Sequence, residues 1–258
     1  MILRGEFQRN FLDNLRVVIL YFSSGEFEYK ILEQVPNIEK LAVYDGSFKK
    51  MFCCENPNNV DYSGLLLQLK VLHLESLKYL VSIGLENSWT FVKNIEIFKV
   101  IRCSRLESLV ACKVSFFNLT CLKVKDCYSL SYLFTSSTAR SLVQLKRMEI
   151  KYCQSIKEIV SEDWEDWDQR SDEIIFPNLS CLNLDRLQSL KSFYKGSLSF
   201  PSLEELLVND CYEIVTFCAG TVQTSKLSEI RINYVTAIPL EIDLNFTMRK
   251  NFLEKVCI

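Results

Sequence analysis

One spacing returns along this chain and constrains its fold more than any other feature. Its clearest copies are Leu119-x-x-Leu122-x-Val124-x-x-Cys127-x-x-Leu130-x-x-Leu133 and Leu145-x-x-Met148-x-Ile150-x-x-Cys153-x-x-Ile156-x-x-Ile159. Further copies begin at Leu69, Ile95, Leu179 and Leu203. All 36 pattern positions in these six copies are apolar, where a 48% hydrophobic composition would fill about 17. Shorter copies at Leu12, Ile38 and Leu227 keep the first three positions. The nine starts are separated by 26, 31, 26, 24, 26, 34, 24 and 24 residues, a mean of about 27, which is the period of a solenoid.

A run of threes alone would describe one stripe of an amphipathic helix. The step of two between the fourth and sixth positions does not fit that stripe. It fits a short strand that sends two side chains inward and leaves those between them outside. One such strand cannot bury its apolar face, but stacked parallel copies cover one another. Nine strands at ~4.8 Å spacing make a sheet about 40 Å across. The expected fold is therefore α/β, a leucine-rich-repeat solenoid of about nine repeats. Its parallel sheet lines the concave face, and irregular or short helical segments form the convex side. The whole chain, 1–258, reads as a single domain with an acidic insertion at 161–174 and a helical cap at 245–255.

Composition narrows the function. Thirty Lys+Arg against 32 Asp+Glu leave a net charge of −2, which gives no general attraction to nucleic acid or an acidic membrane. Seven glycines disfavour phosphate-cradling loops, and one histidine cannot supply a multi-histidine metal site. No cofactor or metal is expected. The eleven cysteines are too sparse for a disulfide scaffold. Four of them, Cys103, Cys127, Cys153 and Cys211, hold the ninth position of the unit, where the chain turns off the strand. A small, weakly polar side chain packs there, and neighbouring repeats would stack Cys103, Cys127 and Cys153 into a thiol ladder. Cys53-Cys54, in an irregular connection, is the more reactive pair. Charges at Arg4, Glu6, Arg9, Asp13 and Arg16 interrupt the first twenty residues, so no signal-peptide core is read there. Nor does any stretch reach the ~18 apolar residues of a membrane span. The expected location is cytoplasmic, with the cysteines reduced and the sequons at Asn118, Asn178 and Asn245 fortuitous.

The copies are joined by Phe176-Pro177-Asn178-Leu179 and Phe200-Pro201-Ser202-Leu203. Cys153-Gln-Ser-Ile-Lys-Glu-Ile-Val160 precedes the acidic run, which ends in Glu173-Ile-Ile-Phe-Pro177. The tail Asp243-Leu-Asn-Phe-Thr-Met248 leads into Phe252-Leu-Glu-Lys-Val256. Together, from about residue 12 to 256, these segments resemble the leucine-rich repeats of plant coiled-coil nucleotide-binding disease resistance proteins. The resemblance implies a sensing region that contacts a pathogen effector or a guarded host protein. It also implies a contact that holds the nucleotide-binding region of a full receptor inactive. No Gly-x-x-x-x-Gly-Lys-Ser/Thr loop occurs in the chain, so the family's nucleotide switch is missing from it.

Binding is expected on the outward strand positions. A middle lane reads Ala42, His73, Lys99, Lys123, Glu149, Asn183, Leu207 and Arg231, and a neighbouring lane reads Tyr44, Glu75, Ile101, Lys125, Lys151, Asp185, Asn209 and Asn233. Lys99, Lys123, Lys125, Lys146, Arg147 and Lys151 converge on the middle repeats. Asp185, Glu204, Glu205 and Asp210 follow on the C-terminal side. Tyr44, Ile101, Tyr152, Leu207 and Tyr234 are the better energetic anchors. His73 is expected to be exposed and noncatalytic, because its lane neighbours Ala42 and Lys99 are neither nucleophile nor orienting carboxylate. Ser161–Glu173 carries seven acids, one arginine and the pair Trp164 and Trp167. It lacks the glycine turn and ligand spacing of a calcium loop, so it reads as a solvated insertion. Leu244, Met248 and Phe252 recur every four residues and suit a helix covering the last strand. The function expected is noncatalytic protein recognition with a protein ligand. A substrate-binding arm of a ubiquitin-ligase adaptor is the alternative.

Overall fold

The computed structural model describes residues 12–22, 30–52, 66–84, 90–110, 114–162, 173–234 and 237–256. Its fifteen strands fall into three sheets. The largest contains β1 (Val17–Tyr21), β2 (Lys40–Tyr44), β3 (Val71–Glu75), β4 (Ile97–Ile101) and β5 (Cys121–Lys125). It continues through β7 (Arg147–Lys151), β10 (Cys181–Asp185), β12 (Glu205–Asn209), β14 (Glu229–Ile232) and β15 (Ile238–Pro239). Every pairing in this sheet is parallel except the last, where β15 runs antiparallel to β14. A short sheet of β6 (Phe134–Thr135) and β8 (Val160–Ser161) lies on the far side of the repeats. So does a sheet of β9 (Glu173–Ile175), β11 (Ser197–Ser199) and β13 (Val222–Gln223). The convex side is thus partly β-structured as well as helical, with a 3-10 turn at Thr90–Asn94 and a short helix at Ser136–Arg140.

Register follows the apolar pattern. In β3, β4 and β5 the second and fourth residues are buried and the others partly exposed. Leu72, Phe98, Leu122, Met148, Leu182 and Leu206 accordingly form one inner row of facing partners. At the N-terminal edge Val18 pairs with Leu41 and Leu20 with Val43. The first unit therefore starts at Leu15, three residues beyond the Leu12 expected from the sequence. Both series are apolar, so composition could not choose between them. The second unit's pairing chooses Leu15.

Backbone groups are satisfied laterally. At strand entries one carbonyl takes two successive amides of the next repeat: Glu39 O accepts Lys70 N and Val71 N, and Lys146 O accepts Ser180 N and Cys181 N. At strand exits Asp45, Ser76, Arg102, Asp126, Tyr152, Arg186 and Asp210 have φ between 50° and 59°. This left-handed conformation costs a non-glycine residue about 1 kcal/mol or more. In return the amide of the exit residue bonds the next repeat, as in Arg102 N to Lys125 O at 2.8 Å and Asp126 N to Lys151 O at 3.0 Å. Directly after it comes the ninth position. The thiols of Cys127, Cys153 and Cys211 each donate to the carbonyl two residues back, at 3.4, 3.3 and 3.3 Å. Neighbouring thiols interact across repeats: hydrogen bonding to Cys127, then burial, pushes the Cys103 thiol far up. Burial pushes Cys211 up to about 12. All four cysteines are buried at strand exits, and Cys53-Cys54 lies outside the described residues.

Two further ladders run outside the sheet. Asn37, Asn94, Asn118 and Asn178 each precede the first apolar residue of a unit. Their Nδ2 groups donate to carbonyls of the preceding repeat, those of Asp13, Leu67, Lys93 and Val143, at 3.0, 2.8, 2.9 and 2.7 Å. The sequon asparagines Asn118 and Asn178 are thus structural donors. A phenylalanine spine fills the core, with Phe176–Phe200 stacked at 5.3 Å and Phe193–Phe217 at 5.3 Å. Gly84, at φ 75°, sits against the Phe52 carbonyl, where any Cβ would collide with backbone. The 161–174 boundary overreaches at its C-terminal end, because Glu173–Ile175 is a strand and Ile174 is fully buried. Residues 163–172, with Trp164 and Trp167, lie outside the described residues.

The C-terminal edge is closed twice. Pro239 in β15 has no amide to offer a further strand, an effective block on edge pairing. The helix Leu244–Val256 then buries Leu244 and Met248, while the Phe252 side chain lies outside the described residues. Asp243 Oδ1 caps its start by accepting Phe246 N at 2.7 Å. Asn245 makes the decisive polar contact. Its Oδ1 accepts Phe217 N and Cys218 N at 2.8 and 3.2 Å, and its Nδ2 donates to Cys218 O and Gly220 O at 3.1 and 3.2 Å.

Two outcomes are expected. Asn245→Leu strands four backbone groups, three of them buried, and should cost about 3 kcal/mol in a urea melt; a change under about 0.5 kcal/mol would refute the anchoring role. In the native protein the buried Cys103, Cys127, Cys153 and Cys211 should resist a disulfide reagent until the chain unfolds, because the reagent needs an accessible thiolate. Peptide mapping after a brief labelling pulse checks this, and rapid labelling at these four positions would contradict it.

Candidate functional site

The outward side chains stand in register across the sheet. Ala42, His73, Lys99, Lys123, Glu149, Asn183, Leu207 and Arg231 are successive partners in one lane. Tyr44, Glu75, Ile101, Lys125, Lys151, Asp185 and Asn209 are successive partners in the next. Asn233 falls one residue past β14 in a left-handed turn. Both lanes extend onto β1 through Ile19 and Tyr21, which are exposed. Ala42 is fully buried, so this lane is interrupted near its N-terminal end.

The N-terminal third is aromatic. Tyr21 stacks on Tyr44 with ring centroids 4.9 Å apart, and Tyr44 meets His73 edge-on at 5.4 Å. Tyr44 Oη lies 3.3 Å from His73 Nδ1, and His73 Nε2 lies 3.0 Å from Glu75 Oε2. Glu75 also pairs with Arg102. The expectation of an exposed histidine is corrected: His73 is half-buried, its side chain 16% accessible. The carboxylate it meets is two residues along its own strand, whereas a lane shows only lateral neighbours. Burial holds the imidazole below its ordinary range, aided by Lys99 and Lys40 and opposed by Glu75.

The middle third is basic around one carboxylate. Glu149 receives Lys151 Nζ at 2.9 Å and Lys123 Nζ at 3.2 Å. Burial alone would push its carboxyl up, but the two lysines overcome this and hold it below the usual range. Lys125 Nζ lies over the Tyr152 ring, 5.4 Å from the centroid, and 3.8 Å from Asp126 Oδ2. Lys99 and Ile101 are half-buried, and Lys146 and Arg147 are exposed. The basic cluster is therefore organised around Glu149.

The C-terminal third differs from the expected acidic flank. Asp185 is buried, 7% accessible, beneath Tyr234, whose hydroxyl donates to Asp185 Oδ1 at 2.7 Å. That bond and burial push the Tyr234 phenol up to about 12. Tyr234 N also donates to Asn209 Oδ1 at 2.9 Å. Arg186 stacks over the Tyr152 ring at 4.9 Å and donates from Nε to Asp210 Oδ2 at 3.2 Å. Tyr212 donates to Asp210 Oδ1 at 3.0 Å. Glu204 and Glu205 remain exposed, Glu204 beside Lys226 at 3.7 Å and Glu205 accepting the Cys181 thiol at 3.1 Å. Burial, then Glu205, pushes that thiol up to about 11. Leu207 is half-exposed and Arg231 exposed.

Arg102, Arg186 and Tyr212 escape a reading of the two lanes. Arg102 and Arg186 occupy the left-handed exit position directly before the ninth residue of the unit, a third lane readable from the repeat. Among the described residues, no group of three or more His, Cys, Asp or Glu side chains could hold a metal ion. No described helix is long and apolar enough to cross a membrane.

The His73 environment sets a pH dependence. Because the folded imidazole titrates below its unfolded value, the folded state binds fewer protons there. Stability is complete above about pH 6.5 and falls as pH drops through the lowered pKa. The melting temperature should decline between about pH 7 and pH 5, and His73→Phe should flatten that decline. An unchanged slope in the variant would remove His73 as its source.

Residues 111–235 match a family model described as plant disease resistance protein RPS2-like, leucine-rich repeats. A probable disease resistance protein of Arabidopsis thaliana is 27% identical over 184 residues, covering 58% of this chain and 25% of the relative. The aligned part thus spans a quarter of that protein. Repeat spacing and parallel sheet agree on a leucine-rich-repeat solenoid, and both likenesses are to plant disease resistance proteins.

Proposed function

We propose that the chain is a noncatalytic recognition module of the cytoplasm, a single repeat domain whose sheet face binds protein. The observation carrying this reading is that the outward side chains are arranged beyond what the scaffold needs. Tyr152, Arg186, Tyr212 and Tyr234 are fixed by carboxylates and by one another while three of them, Arg186, Tyr212 and Tyr234, remain exposed. Pre-ordered tyrosine and arginine lose little entropy on binding, and these residue types dominate interface energetics. By likeness to disease resistance proteins, the ligand is a pathogen effector or a guarded host protein. A second contact, with the nucleotide-binding region of a full receptor, would restrain that region. Both matches are to disease resistance proteins, and no described contact on the sheet favours a ubiquitin-ligase adaptor.

The test is a binding panel of purified chain against pathogen-secreted proteins and the nucleotide-binding region of a plant resistance protein. Leu207→Glu and Arg231→Glu should each weaken the captured partner about tenfold or more, with little change in melting temperature. Ile175→Glu, at an exposed position of β9 away from the large sheet, should leave it unchanged. A partner indifferent to the sheet variants and lost with Ile175→Glu would move the binding surface elsewhere.

A further inference from the structure

We propose that the partner docks an acidic protein segment on β4, β5 and β7, and that Glu149 tunes its affinity. This rests on the sheet face being the protein-binding surface. Over these three strands the outward positions carry five cations, Lys99, Lys123, Lys125, Arg147 and Lys151, and the single anion Glu149. Adjacent strands stand ~4.8 Å apart, so Lys99 and Lys123 form one row and Lys125 and Lys151 a second, offset by one strand. The cations therefore make a diagonal band.

Glu149 sits inside that band and takes one hydrogen bond from each of Lys123 and Lys151. An ammonium has three donors, so each lysine retains two while its head is held in place. The carboxylate thus orders the lysines and also subtracts from their field. Ile97 and Ile101, half-exposed on β4, add apolar surface beside the charges. The complement is a segment alternating acidic with apolar residues, which meets the band with carboxylates and presents no charge to Glu149.

A nucleic acid fits this face poorly. Its backbone brings a uniform row of phosphates, which would meet Glu149 within the band and Glu75 and Asp126 along its edge. The chain as a whole is also slightly acidic, with a net charge of −2. A protein segment can skip those anions; a polyphosphate cannot.

The probes are a short fluorescent peptide alternating Glu with Val, its lysine-for-glutamate counterpart, and an oligothymidylate, titrated into the full chain by anisotropy. The acidic peptide should bind, more weakly as salt rises, and the lysine peptide should not. Lys123→Glu and Arg147→Glu should each weaken it about tenfold, whereas Glu149→Gln should strengthen it several-fold, since an opposing charge is removed. Lys191→Glu, off the sheet face, should change nothing. Arg147 is exposed and, among the described residues, its side chain makes no hydrogen bond or ion pair, so its variant reports on charge even if Lys123→Glu fails to fold. Indifference to Arg147→Glu and Glu149→Gln, or tighter binding of oligothymidylate than of the peptide, overturns the proposal. If Leu207→Glu abolishes capture of a protein partner while the acidic peptide is ignored, the sheet remains the docking face and only the acidic assignment falls. If the sheet variants leave partner capture intact, the docking reading falls with it.

Discussion

Each repeat depends on the one beside it for nearly everything a folded chain must satisfy. A five-residue strand with two inward side chains buries too little to stand alone. Its amides and carbonyls find partners only in the neighbouring strands. Entry carbonyls that accept two amides, exit amides in a left-handed turn, and the asparagine side chains outside the sheet all bond across repeats. Lateral pairing is therefore the constraint behind register, core and surface alike. It also explains the care taken at the C-terminal edge, where a proline strand and the Asn245 plug end a ladder that would otherwise invite another strand.

The cysteines belong to the same logic. A strand exit needs a residue small enough to sit under a left-handed turn and polar enough to bond the carbonyl two positions back. Cysteine meets both needs at weak hydrogen-bonding cost. Hydrogen bonding to Cys127, then burial, raises the Cys103 thiol; at Cys127 the bond with Cys103 lowers the pKa, but the bond with Cys153 and burial outweigh it, so both stacked thiols are held protonated. Abundant cysteine at the ninth position reflects a repeated turn.

Much of this is legible in the sequence, for a simple reason. Parallel pairing without shifts places equivalent residues side by side, so the apolar pattern fixes both inner rows and outer lanes from Ile38 onward. Where only one neighbour constrains a strand, the pattern weakens: Leu12 and Leu15 both begin an apolar series, and β2 decides for Leu15. Side-chain partnerships are harder to read. His73 meets Glu75 along the strand, Glu149 clamps lysines from two strands, and Asp185 disappears beneath Tyr234 from a repeat two strands away. Periodicity orders backbones, while rotamers answer to charge and burial, which have no period.

That division between scaffold and surface has a consequence for recognition. Lanes of the sheet are spaced by backbone hydrogen bonds, so substitutions at outward positions change chemistry while leaving spacing intact. Lys123 and Lys151 show the limit of that freedom: they come from neighbouring strands and are tied through one carboxylate, so altering any member changes how the other two present themselves. Tyr152 does the same for Lys125 and Arg186, which approach its ring from β5 and from the exit of β10. Recognition on this face is thus carried by clusters spanning two or three repeats, and the unit that selection can vary independently is the cluster. A lane residue considered alone, however exposed, understates what its neighbours make of it.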